Sequence, residues 1–124
     1  MFARMVSAQL KVNQHKAFSE LFHNKVLPVL RNQRGFRDTM LLVVSGAPEV
    51  VAISFWDSKE AMDAFGAKSA TQIQQILSPL LERPVEVKTF ALAYSTMHDI
   101  PAEQMMAFEN QSPITHPVPG VGGG

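Results

Sequence analysis

Two strongly apolar segments joined by a five-residue turn constrain the fold of this chain most. They read FRDTMLLVV (residues 36–44) and VVAISFW (50–56), and the connection between them contains Gly46 and Pro48. Segments rich in β-branched and aromatic residues on either side of such a turn predict a β-hairpin. Because the middle of each segment is apolar on both parities, we expect both faces of the hairpin to be covered.

A long helical pattern precedes the hairpin. Asn13 is the predicted N-cap, because its short side chain can accept a hydrogen bond from a free N–H one turn into the helix. Pro28 has no N–H and is expected to kink or divide the helix, and Gly35 is the expected left-handed residue at its end. An apolar stripe at three- and four-residue spacing predicts the buried face, which consists of Phe18, Leu21, Phe22, Val26, Val29 and Leu30.

Two more strands and a second helical region complete the pattern. Residues 2–10 and 85–94 predict the first and the last strand. Asp57 or Ser58 is expected to cap the second helical region, whose last segment covers residues 69–78. The order β-α-β-β-α-β predicts an α+β fold of the ferredoxin-like type, with one antiparallel sheet and helices on one face.

The apolar strands need a cover on the second face of the sheet. Residues 40–44 and 50–53 offer hydrophobic side chains to both faces, and monomers rarely expose such a patch. We therefore expect a homodimer in which two sheets pack face to face and close as a dimeric α/β barrel. The domain is predicted to span residues 1–94, followed by a Pro-, Gly- and Met-rich tail at 95–124. This tail is either flexible or docked on the partner subunit, or it covers the open face within one chain.

Composition argues against several classes of partner and site. Eleven basic residues balance eleven acidic ones, and no basic cluster with interleaved aromatic residues is present, so nucleic acid is not an expected partner. The absence of cysteine removes disulfides, thiolate zinc sites and a cysteine nucleophile. No apolar run approaches the roughly 18 residues of a membrane span, and the N-terminus lacks a secretory apolar region. We expect a cytoplasmic protein.

Three short motifs connect the predicted helices and strands. They are a proline in the last part of the first helix (VLPVLRNQRGF, 26–36), the Gly-Phe pair that opens the second strand, and the pattern Trp-x-Ser/Thr-x-Glu-Ala, here Trp56 to Ala61. Together they resemble the antibiotic biosynthesis monooxygenase family of dimeric α/β-barrel proteins. The resemblance covers about residues 1–94.

The resemblance implies oxidation of a small aromatic or polyketide-like molecule by O₂, with no metal or flavin cofactor. Such chemistry needs a dry hydrophobic pocket and one or two cationic or hydrogen-bonding groups. The candidate catalytic residues are Trp56, which matches the family's strand-three tryptophan, as a hydrogen-bond donor, Arg4 as the stabiliser of a phenolate, and His23 as a base. His23 stands one residue from the apolar stripe, and the alternative interpretation is a solvated helix histidine. The ligand-binding residues predicted beside them are Phe22, Arg37, Met40 and Phe65, with Arg37 as the alternative anion stabiliser. No metal-binding residue is predicted.

Three alternatives use the same fold. Haem degradation, which occurs in another branch of the family, needs an axial histidine after Trp56, but residues 71–76 read TQIQQI, so we do not expect it. The second alternative is a non-catalytic small-ligand-binding protein in which Trp56 only fills a corner of the core. The third is a dimerisation module whose methionine-rich C-terminal residues bind another protein.

Overall fold

The computed structural model describes residues 1–98 and contains one four-stranded antiparallel sheet with the strand order β2-β3-β1-β4. The strands are β1 Phe2–Gln9, β2 Phe36–Val43, β3 Glu49–Trp56 and β4 Glu86–Ala91. This arrangement confirms the predicted α+β, ferredoxin-like fold, and the expected hairpin is the β2–β3 pair.

The chain divides into two compact units, Met1–Phe90 and Ala91–Gly124. The first unit contains every helix of the described residues. In the described part of the second unit, the hydroxyl of Ser95 accepts hydrogen bonds from the backbone N–H groups of Met97 and His98. Residues 99–124 lie outside the described residues, so the predicted tail stays a prediction.

The helices form two groups, one before the hairpin and one after it. The first group is α1 His15–Leu21, a π-helical segment Phe22–Val26 and α2 Leu27–Arg31; the second is α3 Lys59–Lys68, α4 Ala70–Leu77 and a 3₁₀ turn Ser78–Leu80. The predicted division of the first helix is present: Pro28 lies in the first turn of α2, where no N–H is needed. Just before it, the N–H of Leu27 donates to the carbonyl of Phe22, five residues back. Within residues 1–98, no helix is long and apolar enough to cross a membrane.

The helix starts agree with the sequence prediction only in part. Helix α1 begins at His15, and Asn13 precedes it with φ of 60°, in the left-handed region that asparagine tolerates. Asn13 is therefore a turn residue, and its predicted N-cap role is wrong. At α3 the cap is Ser58 rather than Asp57, because the Ser58 Oγ accepts a hydrogen bond from the N–H of Ala61 at 3.1 Å.

Gly35 holds the end of the first helical group against α3. Its φ is 81°, the left-handed conformation predicted from the sequence. A Cβ atom at this position would lie 2.6 Å from the Cβ of Ala61. The Gly35 carbonyl also accepts a hydrogen bond from the N–H of Asp57 at 2.8 Å. These contacts fix the corner that follows Trp56 at the end of β3.

The strand register decides which side chains face the helices. Arg4 on β1 and Thr39 on β2 both lie opposite Ser54 on β3. Directly paired residues share a face of the sheet, so these three side chains lie on one side. Met40 pairs with Ile53 and therefore lies on the other face. The core on the helix side includes Phe18, Phe22, Val26, Leu30, Trp56, Phe65 and Leu77.

Candidate functional site

A cavity of about 70 Å³ lies between the sheet and the helices. The helices contribute Phe18, Phe22, Val26, Leu30, Phe65, Ile73 and Leu77 to its wall, all of them apolar. Phe22 and Val26 belong to the π-helical segment, and single π turns of this kind are frequent at functional sites. An apolar cavity with a few convergent polar groups is the usual form of a small-molecule site.

The polar lining of the cavity forms a single row across the sheet. Among the described residues that line the cavity, only Arg4, Ser54 and Thr39 are polar or charged, and the register places them side by side on β1, β3 and β2. The Thr39 hydroxyl donates to the carbonyl of Ile53 at 3.0 Å, so its oxygen lone pairs remain able to accept a hydrogen bond. Within residues 1–98, no group of three or more His, Asp or Glu side chains is placed to hold a metal ion.

Arg4 is a partly buried cation in this row. Its guanidinium carbon lies 5.2 Å from the centroid of the Phe65 ring, within cation–π range. Burial lowers the pKa of Arg4, because the loss of hydration disfavours the charged form. Arginine nevertheless stays charged in proteins. No carboxylate pairs with Arg4 among residues 1–98. An anionic oxygen in the cavity would therefore supply the negatively charged partner that Arg4 lacks.

Trp56 is entirely buried and lies behind the cavity wall. Its ring stacks on Phe65 with the centroids 4.9 Å apart and meets the ring of Phe36 edge-on at 5.6 Å. The indole N–H donates to the Ser54 Oγ at 2.9 Å, and Ser54 does line the cavity. The other contact of this hydroxyl, to the Arg4 carbonyl, is 3.5 Å long, near the limit of a hydrogen bond. Ser54 can therefore turn its proton towards a ligand.

Of the seven predicted site residues, Arg4, Phe22 and Phe65 line the cavity, Trp56 lies behind its wall, and the other three do not line it. Arg37 pairs with Asp57, with 3.3 Å between Nε and Oδ1, and both side chains are about half exposed. His23 is exposed on the π-helical segment. Met40 lies on the far face of the sheet. The cavity therefore contains neither the predicted base nor the alternative cation.

A β-bulge in β2 explains why Met40 and Thr39 exchange places relative to the sequence pattern. Phe36 pairs with Trp56, but the next pair joins Asp38 to Phe55, so one extra residue is inserted at Arg37. Because side chains alternate with a period of two, an inserted residue moves all later side chains to the opposite face. Strict alternation from Phe36 would place Met40 on the helix side of the sheet. Because of the bulge, Thr39 lies on that side instead.

Sequence reasoning missed Ser54 and Thr39. The signal for Ser54 was present, since Ser54 stands two residues before Trp56 on the same strand and hence on the same face. The signal for Thr39 was hidden by the bulge. A serine and a threonine beside Arg4, on a sheet face whose other cavity-lining residues are apolar, are polar groups of the kind that orient ligands in small-molecule sites.

Comparison with known proteins identifies relatives of this fold. The family model described as "Antibiotic biosynthesis monooxygenase" matches residues 1–72. No curated protein matches the chain by sequence.

Several solved structures share the fold at low sequence identity. The monooxygenase from the gene ActVA-Orf6 of Streptomyces coelicolor, in complex with the ligand Nanaomycin D, is 23% identical with a TM-score of 0.64, over 82% of this chain and 92% of that one. A mutant of SnoaB, a cofactor-independent oxygenase from Streptomyces nogalater, is 17% identical with a TM-score of 0.64. The match covers 78% of this chain and 97% of that one. NE2512 from Nitrosomonas europaea, a protein of unknown function, is 18% identical with a TM-score of 0.64. The match covers 82% of this chain and 94% of that one.

Proposed function

Because this chain belongs to the antibiotic biosynthesis monooxygenase family, we propose that it is an O₂-dependent monooxygenase acting on a small hydroxylated aromatic molecule. We further propose that the reaction requires no metal or flavin. The observation that carries the proposal is the position of Arg4: a partly buried cation without a carboxylate partner among residues 1–98, beside the Ser54 hydroxyl in an apolar cavity. Two of its structural relatives, the ActVA-Orf6 monooxygenase and the oxygenase SnoaB, support the same reaction class.

The first role of the cavity is to bind the substrate as its phenolate. The guanidinium of Arg4 and the hydroxyl of Ser54 donate hydrogen bonds to the phenolate oxygen, and charge-assisted bonds of this kind favour the anion. Among the described residues of the lining, Arg4 is the only titratable side chain, so the proposal assigns no side-chain base there. The phenol proton is therefore lost to solvent as the substrate binds.

The second role is to expose an electron-rich ring carbon to O₂ in an environment without water. The phenolate donates electrons from this carbon to O₂, and a C–O bond forms. Loss of water then gives a quinone: phenol plus O₂ yields quinone plus water, so one oxygen atom enters the ring and the other leaves as water. The substrate itself supplies all the electrons, and no external reductant is needed. The chain binds and orients the ring and excludes water from it.

The size of the cavity favours a single aromatic ring. Its volume of about 70 Å³ is well below the roughly 300–1,000 Å³ of pockets for drug-sized ligands. A polyketide-like polycycle would require the π-helical segment and α2 to move away from the sheet.

We also propose that the protein is a homodimer that packs through the sheet face opposite the helices. This face carries Met5, Met40 and Ile53 in one cross-strand row. An apolar row of this kind on the solvent side of a sheet is best explained by burial against a second copy.

Oxygen consumption tests the proposed activity. A panel of single-ring phenols and hydroquinones is incubated with the protein in an oxygen electrode, and quinone formation is followed by absorbance. We expect one O₂ consumed per quinone formed from a phenol. Replacement Arg4→Met should lower kcat/KM by roughly 100-fold or more, as for loss of one oxyanion-stabilising donor. The control Arg37→Met removes an exposed cation from β2 and should change kcat/KM less than about twofold. If no phenol is consumed above the uncatalysed rate, the non-catalytic ligand-binding alternative replaces this proposal.

A further inference from the structure

A second concavity lies directly outside the candidate site. Its volume is about 400 Å³, and it is bounded by α4, the 3₁₀ turn and the segment before β4. Leu81 and Val85 line both this outer groove and the inner cavity. The two spaces are therefore neighbours that share a wall containing these two aliphatic side chains, both of which are partly exposed.

The outer groove differs from the inner cavity in its chemistry. Thr71, Gln74, Gln75 and Ser78 line it from the side of α4, and Arg83 lines it beyond Leu81. Among residues 1–98, Arg83 forms no ion pair with a carboxylate. The groove therefore offers amide and hydroxyl groups and one unpaired cation, next to an interior that offers almost only apolar surface.

Hydrogen bonds that do not involve the side chains of the shared wall hold the backbone around it. The N–H of Leu81 donates to the carbonyl of Ser78 at 3.0 Å, and the N–H of Glu82 donates to the carbonyl of Gln9 at 2.7 Å. A change of side-chain rotamer at Leu81 needs none of these backbone bonds to break. The backbone of the turn therefore need not open for a ligand to reach from one space to the other.

We propose that the ligand of this protein is a phenolic acid with a chain between its ring and its carboxylate. The ring occupies the inner cavity, the chain passes between Leu81 and Val85, and the carboxylate lies beside Arg83 in the outer groove. The assignment of the ring rests on the proposed function. The assignment of the chain and the carboxylate rests on the shared wall and on Arg83, and it concerns binding whether or not oxidation follows.

Calorimetric titration of the full chain with three probes tests this proposal. The probes are phenol, 6-(4-hydroxyphenyl)hexanoic acid and the methyl ester of that acid. We expect the acid to bind roughly five- to tenfold more tightly than its ester, as one charge-assisted contact near the surface allows. In Arg83→Gln this ratio should fall to about one, while the affinity for phenol stays unchanged. The control Arg31→Gln, an exposed arginine at the end of α2, should keep the wild-type ratio.

Two further results decide the outcome. Leu81→Trp fills the shared wall and should weaken binding of the acid more than binding of phenol. Equal affinities of acid and ester in the wild type, an acid preference that survives Arg83→Gln, or no binding of either long probe would overturn the groove assignment. Because the readout is binding, a protein that binds the acid through Arg83 but consumes no O₂ would contradict the proposed oxidation and leave this inference standing.

Discussion

The indole N–H of Trp56 donates to the Ser54 Oγ at 2.9 Å, and both side chains are buried. This bond links a residue behind the cavity wall to a residue that lines the cavity. The indole occupies one lone pair of the serine oxygen, and the serine proton has only the 3.5 Å contact to the Arg4 carbonyl, so it can turn towards a ligand. In the proposed site, the tryptophan would act on a ligand through Ser54; it also fills the corner between β3 and α3.

The Trp56–Ser54 bond predicts coupled stability effects. Ser54→Ala leaves the buried indole N–H without its acceptor and should lower the free energy of unfolding by about 1–2 kcal/mol. Trp56→Phe removes the donor, so Ser54→Ala should cost roughly 1 kcal/mol less in that background. Urea unfolding of the two single variants and the double variant measures the coupling. Purely additive effects would show that the bond does not contribute to stability.

We expect Arg4 to lower the stability of the fold while it serves the proposed function. The folded chain depresses the pKa of this cation by burial, so the charged form is destabilising wherever Arg4 is protonated, below its folded pKa. Arg4→Met should therefore raise the free energy of unfolding by about 0.5–1 kcal/mol, an estimate reduced for the remaining solvent contact. The gain should be constant from about pH 5 to pH 9, because arginine stays charged throughout. Urea unfolding at several pH values checks this, and a loss of stability in Arg4→Met would contradict it.

Two glycines with the same backbone conformation allow the cost of a left-handed φ to be measured separately from the cost of a steric clash. Gly35 and Gly46 have φ of 81° and 80°. A Cβ at Gly35 would meet Ala61 at 2.6 Å, whereas a Cβ at Gly46 would meet nothing within 4 Å. Gly46→Ala should cost about 1 kcal/mol for the left-handed conformation alone, and Gly35→Ala about 2–4 kcal/mol. Thermal or urea unfolding measures both, and equal costs would mean that the approach to Ala61 is not tight.

The proposed homodimer predicts that a charge on the outer sheet face separates the subunits. Met40→Glu and Ile53→Glu each place a carboxylate in the cross-strand row opposite the helices. Sedimentation should show a dimer for the wild type and a folded monomer for either variant. Val12→Glu is the control, because Val12 is 81% exposed in the turn before α1. A wild-type monomer at micromolar concentration, or dimers in all variants, would contradict this interface.

The sequence predicted the fold more fully than the site. Hydrophobic periodicity, Pro28 and Gly35 indicated the elements and their order because these signals are local. The site depends on register, and a single bulge at Arg37 moves Thr39 to the cavity and Met40 away from it. Arg37 was indistinguishable from Arg4 as a strand cation, because its ion pair with Asp57 forms only at the folded corner. His23 lay one residue from the apolar stripe, and one residue on a helix is enough to turn a side chain to solvent.

The central claim is that Arg4 and Ser54 hold a phenol as its anion inside the cavity. The most direct measurement is the visible absorbance of 4-nitrophenol titrated with the protein at a pH about one unit below the pKa of the free phenol, because only the anion absorbs strongly there. The account predicts that wild-type protein raises the anion band saturably, and that Arg4→Met binds the probe with little or no anion band. Binding of 4-nitrophenol in its neutral form to the wild type, or the same anion band in Arg4→Met, would contradict the account.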